Sequence, residues 1–252
     1  MSILNFFYQN EDKYLVFHLS EKMKTDFLST LPLMLLKCYV TEKEIKEREK
    51  NLGKLRSEII NEYIPDKANI MSAEFGEILS YYLLKELNLP EKLSGPKKWF
   101  WKEAKNKPIQ KTDVVLFNTQ NKPTKQDYLI SAEVKCKATK KKNYSPIQDA
   151  IDGATTDYVE RLAITLVWLK ERYTKANKKK SLEKLERFLK PAEYGEYVKY
   201  FKAVAVIEEK LLSEEITKDY HSMDKINGNF QILIISIDGL KECYETVYKS
   251  FE

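Results

Sequence analysis

Two apolar runs near the C-terminal end of the chain constrain its fold more than any other feature. Residues 201–207 and 230–237 consist mostly of Val, Ile, Leu, Ala and Phe. A strand that helices cover on both faces has this nearly continuous pattern, whereas a strand with one solvated face alternates between apolar and polar residues. The sequence therefore predicts an α/β fold, in which a mixed sheet is flanked by helices.

Helical periodicity supplies the flanking elements. The strongest pattern begins after Asp66 and reaches Leu87, with its apolar residues on one stripe. A second long helix is predicted from Pro146 to Tyr173, a third at 181–190 and a terminal one after Gly239. These helices alternate with the apolar runs, as the α/β prediction requires.

Three short segments between the first two long helices have strand character. The first predicted strand starts at Trp99–Trp101 and is broken by Asn106-Lys107-Pro108. Asp113 opens the second, at 114–117, and residues 129–137 form the third. The segment 118–127 is rich in Asn, Lys and Gln, and it predicts a hairpin loop that makes the last two strands neighbours in one sheet.

Asp113, Glu133 and Lys135 carry the predicted chemistry. Glu133 and Lys135 point to the same face of their strand, because side chains alternate with a period of two, and the hairpin brings Asp113 beside them. The two carboxylates are the hard oxygen ligands that Mg²⁺ or Mn²⁺ prefers. Lys135 would orient an attacking water, or accept its proton if burial lowers the pKa of the lysine. The combination predicts a metal-dependent hydrolase of phosphodiester bonds.

Each of these residues also has an ordinary structural interpretation. Asp113 could be a turn residue, although an acid that opens a buried apolar run is costly unless it is paired or bound to a metal. Glu133 and Lys135 could form an exposed charge pair. Acid-x-Lys triplets are frequent in a chain this rich in Lys and Glu, so the triplet is informative only together with Asp113 and an acid on the preceding helix.

The distribution of lysines suggests the substrate. The net charge is only +5, which is typical of an ordinary surface, but lysines lie on both sides of the predicted site, at 97–111 and at 135–142. Such a concentration suits a polyphosphate backbone, so we expect the chain to bind DNA. The predicted nucleic-acid ligands are Lys111, Lys137, Lys140, Lys141 and Lys142.

Other kinds of site are excluded by what the sequence lacks. His18 and His221 lie far apart in the chain, which argues against an HNH nuclease, a His-based metallo-hydrolase and a Ser/His triad. The seven glycines form no phosphate-binding loop, so the chain should not hydrolyse nucleoside triphosphates. There is no apolar run of roughly 18 residues and no signal peptide, so we expect a cytoplasmic protein without membrane contact.

The candidate residues resemble the site of the restriction-endonuclease-like, or PD-(D/E)xK, nuclease superfamily. Thr112-Asp113 stands where the superfamily has Pro-Asp, and Glu133-Val134-Lys135 matches its E-x-K triplet. The order of predicted elements over residues 68–208 is similar to its αβββαβ core. The resemblance implies that the main-chain carbonyl of Val134 binds the metal together with Asp113 and Glu133.

The superfamily resemblance also implies a carboxylate from the first core helix, where Glu74 and Glu77 are the candidates. With about 100° between successive residues of a helix, Glu74 lies beside the apolar stripe and Glu77 points farther from it. The resemblance favours Glu77, which follows Gly76, as a further metal ligand. Helical geometry gives some weight to Glu74, and both stay candidates.

Three segments extend the resemblance to one family. Residues 75–79, 111–117 and 231–235 are similar to HamA, the nuclease subunit of Hachiman-type bacterial antiphage systems. The similarity spans roughly residues 50–252. It implies a HamB-like helicase partner that uses ATP and restrains the nuclease, and degradation of DNA with little sequence preference.

The same patterns divide the chain into two regions. Residues 1–65 form an N-terminal α/β extension, a candidate partner-binding region, with a strand near 14–18 and a capped helix over 41–60 that is weakened at Gly53. Residues 66–252 form the nuclease domain.

Two other functions stay open. One is a sequence-specific restriction or repair endonuclease, and the other is a non-catalytic nucleic-acid-binding or assembly module that retains the fold. The sequence does not decide between DNA and RNA, between endo- and exonucleolytic cleavage, between one metal and two, or between oligomeric states.

Overall fold

A six-stranded mixed sheet forms the centre of the computed structural model, which describes residues 2–11, 14–87, 93–220 and 229–251. The strands are β1 (Phe7–Glu11), β2 (Leu15–Leu19), β3 (Val114–Asn118), β4 (Tyr128–Lys137), β5 (Val198–Glu208) and β6 (Phe230–Ile237). Their order across the sheet is β1-β2-β6-β5-β4-β3. The inner four run parallel, and β1 and β3 pair antiparallel at the two edges. The predicted α/β fold with a mixed sheet is confirmed.

Helices flank this sheet, and none of those described has the length and hydropathy needed to cross a bilayer. The helices are α1 (Lys24–Tyr39), α2 (Glu42–Leu52), α3 (Arg56–Asn61), α4 (Ala68–Leu87), α5 (Pro146–Thr156), α6 (Leu162–Lys175), α7 (Lys179–Leu189), α8 (Pro191–Tyr194), α9 (Glu209–Ile216) and α10 (Leu240–Lys249). Short 3₁₀ helices lie at Ile3–Phe6, Glu21–Met23 and Lys98–Trp101, and a π-helical turn lies at Asp157–Arg161.

The two faces of the sheet pack against different helices. On one face, Phe75 of α4 and Val247 of α10 share a core with Val204 of β5. On the other face, Ile151 of α5 packs with Ala203, the neighbour of Val204 on the same strand. Because β5 is covered on both sides, its apolar run is nearly continuous, as the sequence predicted. Both late strands and α4 lie where they were predicted, whereas the predicted helix end at Leu89-Pro90 lies outside the described residues.

The predicted strand at Trp99–Trp101 is wrong. The segment Lys98–Trp101 is a 3₁₀ helix, because Trp99 turns into the core and packs edge-on against Tyr81. The position of the first predicted strand is taken by a single antiparallel bridge from Ser94 to β3. Between α4 and α5, the described part of the chain therefore carries two consecutive full strands instead of three.

Two predicted helices are interrupted. The capped helix begins as predicted, with the Thr41 hydroxyl accepting the Glu44 N–H at 3.1 Å, but it ends at Gly53, whose φ of 62° favours glycine. The helix predicted from Pro146 to Tyr173 contains the π-helical turn Asp157–Arg161. Turns of this kind are rare and often occur at functional sites.

The N-terminal region belongs to the same sheet and core as the rest of the chain. β2 pairs in parallel with β6, with Val16 opposite Ile234. Phe6 and Phe27 belong to the apolar core that also contains Phe75 of α4. The described part of residues 1–65 is thus continuous with the remainder in both sheet and core, and the role of this region in partner binding stays a prediction.

Candidate active site

A cleft of about 860 Å³ lies beside the N-terminal half of α4 and the C-terminal half of β4. The segment 108–113, which leads into β3, forms another wall. Glu77, Asp113, Glu133 and Lys135 all line this cleft. The structure therefore brings four predicted site residues to one surface, from α4, from β4 and from the segment before β3.

Asp113 lies directly before β3, where the pairing of that strand with β4 ends. The last pair is Val114 with Ala132, so the side chain of Asp113 substitutes for further backbone pairing, and its Oδ2 accepts the Val134 N–H at 2.9 Å. Its Oδ1 accepts Lys98 Nζ at 3.0 Å. Burial alone would raise the pKa of Asp113, but Lys98 and the Val134 amide outweigh burial and lower the pKa.

Glu133 projects from β4 towards α5. Its Oε1 accepts Lys135 Nζ at 2.6 Å, and its Oε2 accepts an Arg161 N–H. Burial, with the nearby charge of Asp113, raises the pKa of Glu133 to about 7. A Cβ added at Gly153 of α5 would overlap the Glu133 side chain, so glycine at this position lets helix and carboxylate approach closely.

Lys135 is the most accessible of these groups, with 33 % of its side chain exposed. Burial would lower its pKa, but Glu133 outweighs this effect and raises the pKa. The ammonium therefore stays protonated beside Glu133. In this state Lys135 can orient a water or a phosphate oxygen as a hydrogen-bond donor, whereas acceptance of a proton would need a different environment.

The structure separates the two candidate helix acids. Glu77 lines the cleft, and its Oε2 accepts the Trp99 indole N–H at 3.0 Å and lies 3.1 Å from Lys98 Nζ. Burial, together with the charge of Asp113, raises the pKa of Glu77 to about 8. Glu74 is buried outside the cleft, where its Oε1 accepts Lys102 Nζ at 2.5 Å. The geometry groups Glu77, and not Glu74, with Asp113.

Sequence reasoning missed a buried network beneath these acids. Asp157, on the π-helical turn, accepts hydrogen bonds from the hydroxyls of Thr112 and Ser131, each at 3.0 Å, and from Arg161. Arg161 in turn donates to Glu133. The network connects the residue before Asp113 to Glu133. Its only sequence signal is an Asp–Arg pair at i, i+4, which is typical of an ordinary helix surface.

The predicted nucleic-acid ligands divide into three groups. Lys111 and Lys141 line the cleft. Lys140 and Lys142 lie with Lys141 around an adjacent hollow of about 790 Å³. Lys137 is instead buried, with its ammonium 2.7 Å from both Glu215 Oε1 and the Tyr144 carbonyl oxygen. Lys137 also borders both hollows, but its ammonium anchors the strand end, whereas Lys111 is half-buried and Lys140, Lys141 and Lys142 are exposed.

Comparison with protein families identifies the chain. The model of the HamA family matches residues 4–251, which is nearly the whole chain. The chain belongs to the HamA family. Membership confirms the predicted resemblance, associates the chain with Hachiman-type antiphage defence and extends the similarity to residues before 50. No curated protein matches this sequence.

In this HamA family member the three cleft carboxylates do not converge on one point. Lys98 lies between Glu77 and Asp113, and Glu133 is held from the α5 side. Within the described ranges, no three or more Asp, Glu, His or Cys side chains are arranged to hold a metal ion. A cation site built from these residues would use the two carboxylates of Asp113 and Glu133 with main-chain oxygen.

The histidines lie apart from this cleft where they can be placed. His18 is on β2, separated from β4 by two strands, and it stacks on Tyr8 with Nδ1 3.2 Å from Glu209. His221 lies outside the described residues. Among the described residues, the charged groups that line the cleft are carboxylates, lysines and one arginine.

Proposed function

We propose that this protein is a metal-dependent nuclease that hydrolyses DNA phosphodiester bonds, and that it acts as the effector of a Hachiman-type system under the control of a helicase partner. One observation carries the proposal. Asp113, directly before β3, and Glu133, on the adjacent strand β4, line one cleft with Lys135. HamA family membership supports the defence context.

The donor atoms fit a hard divalent cation. Asp113 and Glu133 supply carboxylate oxygens, and the N–H of Val134 points at Asp113 beyond the last pair of β3 with β4. Because the N–H and C=O of one strand residue lie on the same edge, the carbonyl of Val134 faces the same side. All of these ligands are oxygen atoms, as Mg²⁺ and Mn²⁺ prefer.

The electrostatics agree with this set. Crowded, buried carboxylates disfavour one another's ionised forms, as the raised pKa of Glu133 reflects, and a cation relieves that repulsion. When bound, the ion would polarise the scissile phosphate and lower the pKa of a water molecule. Lys135 would hold that water or a phosphate oxygen, Arg161 would keep Glu133 in place, and Lys111 and Lys141 would contact the flanking backbone.

The test is cleavage of plasmid DNA, linear DNA and RNA with Mg²⁺, with Mn²⁺ or with EDTA. Wild type is compared with Asp113→Asn and Lys135→Ala, each alone and together with a HamB-like helicase. We expect cleavage by wild type with a divalent ion and loss of cleavage in both variants. Identical behaviour of all three proteins on every substrate, with and without the partner, would refute the proposal.

A non-catalytic nucleic-acid-binding module is the second candidate, and one observation favours it. Each of the three cleft carboxylates, Glu77, Asp113 and Glu133, already has a cationic side-chain partner. A site with its charges paired in this way could bind nucleic acid without cutting it. In the same assay such a protein would shift DNA in a gel and leave it intact under all conditions.

A further inference from the structure

Lys98 is a buried cation between two acids of the cleft. Only 6 % of its side chain is exposed, and its Nζ lies 3.0 Å from Asp113 Oδ1 and 3.1 Å from Glu77 Oε2. Lysine is almost never fully buried unless it is paired. A charged ammonium in contact with one carboxylate from α4 and another from the start of β3 occupies the kind of position that a metal ion takes in a carboxylate site.

Glu77 is positioned to hold this ammonium. The same oxygen, Oε2, contacts Lys98 and accepts the indole N–H of Trp99, the next residue. Trp99 is itself 3 % exposed and packs on α4. The short 3₁₀ helix is thereby fixed to α4 through both residues, and the ammonium is held in place by the packing of its neighbour.

The ion-pair network around Asp113 and Glu133 leaves room for the charge of one divalent ion. In the described part of the chain, its ion pairs join four carboxylates, of Glu77, Asp113, Glu133 and Asp157, to the three cations Lys98, Lys135 and Arg161. Even if all four carboxyl groups are ionised, the network has a single excess negative charge, and one divalent ion would change it into at least one excess positive charge. A second would add a further double charge to an already positive and largely buried site, which is costly.

We infer that Lys98 is a built-in cation that stands where a second metal ion would bind. This inference rests on the proposed function. The cleft then takes a single divalent ion at Asp113, Glu133 and the Val134 carbonyl, and Glu77 holds Lys98 instead of serving as a metal ligand. The absence of three converging acids among the described residues agrees with this assignment.

The chain offers a matched control for Lys98. Lys102 is a second buried lysine, it pairs with Glu74 of the same helix α4, and its side chain is 5 % exposed. It differs in that Glu74 lies outside the cleft, and the second carboxylate oxygen of Glu74 accepts the Tyr39 hydroxyl. Removal of either lysine deletes a buried ion pair, but only removal of Lys98 vacates a position between two cleft acids.

The experiment counts Mn²⁺ ions on the full-length protein. Isothermal titration and the electron paramagnetic resonance signal of free Mn²⁺ give the number of ions per chain, and circular dichroism verifies folding. We expect one ion on wild type, two on Lys98→Ala and one on Lys102→Ala. Two ions on wild type, or one ion on folded Lys98→Ala, would overturn the inference while leaving the metal-dependent nuclease in place.

A second variant serves if Lys98→Ala does not fold. Glu77→Gln keeps the shape of the side chain and removes its charge. We expect it to bind one Mn²⁺ with a Kd within about threefold of wild type, whereas loss of a true metal ligand would weaken binding by about tenfold or more. The larger loss would show that Glu77 is a metal ligand and would overturn the inference. If wild type binds no ion, both the metal dependence of the proposed function and the inference fail. This result differs from the results above, which overturn the inference alone.

Discussion

Helix α4 carries two lysine–glutamate pairs one turn apart, and they have different surroundings. Glu74 pairs with Lys102 at 2.5 Å, and Glu77 pairs with Lys98 at 3.1 Å. Both lysines come from the same short segment after α4, and all four side chains are largely buried. Residue type, spacing and burial are nearly the same in the two pairs.

The third partner distinguishes them. Glu74 also accepts the Tyr39 hydroxyl at 2.7 Å, and Tyr39 lies 2.9 Å from the Tyr248 hydroxyl, so this pair joins α1, α4 and α10 inside the core. The Glu77 pair reaches Asp113 and borders the cleft instead. Burial alone therefore does not show that an ion pair belongs to a functional site. The pair must also include a group that a ligand can reach.

The largest contrast is expected in catalysis. Asp113→Asn removes a proposed metal ligand and should lower the rate of DNA cleavage by about 10³-fold, equivalent to about 4 kcal/mol. Glu74→Gln, in the Glu74–Lys102 pair of the core, should leave the rate within about threefold of wild type, because Glu74 touches no reacting group. Initial rates on linear DNA with Mg²⁺ measure both. A comparable loss in Glu74→Gln would mean that the two pairs do not differ in function.

The next contrast is in stability. Lys102→Ala leaves the carboxylate of Glu74 buried without its cation and should lower the free energy of unfolding by about 3 kcal/mol. Lys98→Ala should cost less, about 1–2 kcal/mol, because Glu77 borders the cleft and can take up a proton. Urea unfolding followed by circular dichroism in EDTA compares the two variants. A larger loss in Lys98→Ala would show that the Glu77–Lys98 pair stabilises the fold more than the Glu74–Lys102 pair.

Two glycine variants compare a helix contact with a site carboxylate and a helix contact with the core. The first should affect DNA cleavage, and the second should affect stability. Gly153→Ala places a Cβ against the Glu133 side chain and should reduce cleavage by about 10- to 100-fold by displacing that carboxylate. Gly76→Ala lies between Glu74 and Glu77, and its Cβ would come 3.3 Å from Cys136 Cβ. We expect Gly76→Ala to affect thermal stability more than cleavage, and equal cleavage losses would contradict this prediction.

The last contrast concerns pH. The pKa of Glu77 is raised by burial from 4.5 to about 8 in the folded protein, so folding favours its protonated form. Its contribution to stability is present below about pH 4.5 and is lost as the pH rises to about 8. In EDTA, wild type should lose stability over this range, with Glu77 contributing up to about 1.4 kcal/mol per pH unit.

Glu77→Gln removes the titrating carboxyl group and should flatten the pH dependence of the free energy of unfolding. Urea unfolding between about pH 5 and pH 8 measures this dependence. Asp113 has a lowered pKa, so its own contribution is lost only in more acidic solution. The prediction is wrong if Glu74→Gln, and not Glu77→Gln, flattens the slope of stability against pH between about pH 7 and pH 8. Glu74 would then be the group that titrates in this range.

Strong local patterns made much of the fold predictable. The apolar stripe of α4, the continuous runs of β5 and β6 and the polar loop between β3 and β4 correspond to elements of the structure. Asp113, Glu133 and Lys135 could be placed together because strand alternation and a short hairpin leave few other arrangements. Their roles as metal ligands and catalytic lysine stay predictions.

Other features could not be predicted because they depend on distant partners. The aromatic run at Trp99 has strand propensity, but its burial against α4 makes the segment a 3₁₀ helix. Lys98 and Lys137 were grouped with basic residues that suit a phosphate backbone, whereas both are buried opposite carboxylates. The contact of Arg161 with Glu133 could not be predicted, since the two residues lie 28 positions apart in the chain.

By itself, the sequence determined the α/β class, the family resemblance and the candidate acids on neighbouring strands, because periodicity and short loops act locally. Only the tertiary structure showed that Glu77, and not Glu74, lines the cleft, and that Lys98 lies between two cleft carboxylates. The physical reason is that two acids three positions apart on α4 have similar local sequence, whereas their ionisation and use depend on the charges that folding brings within a few ångströms.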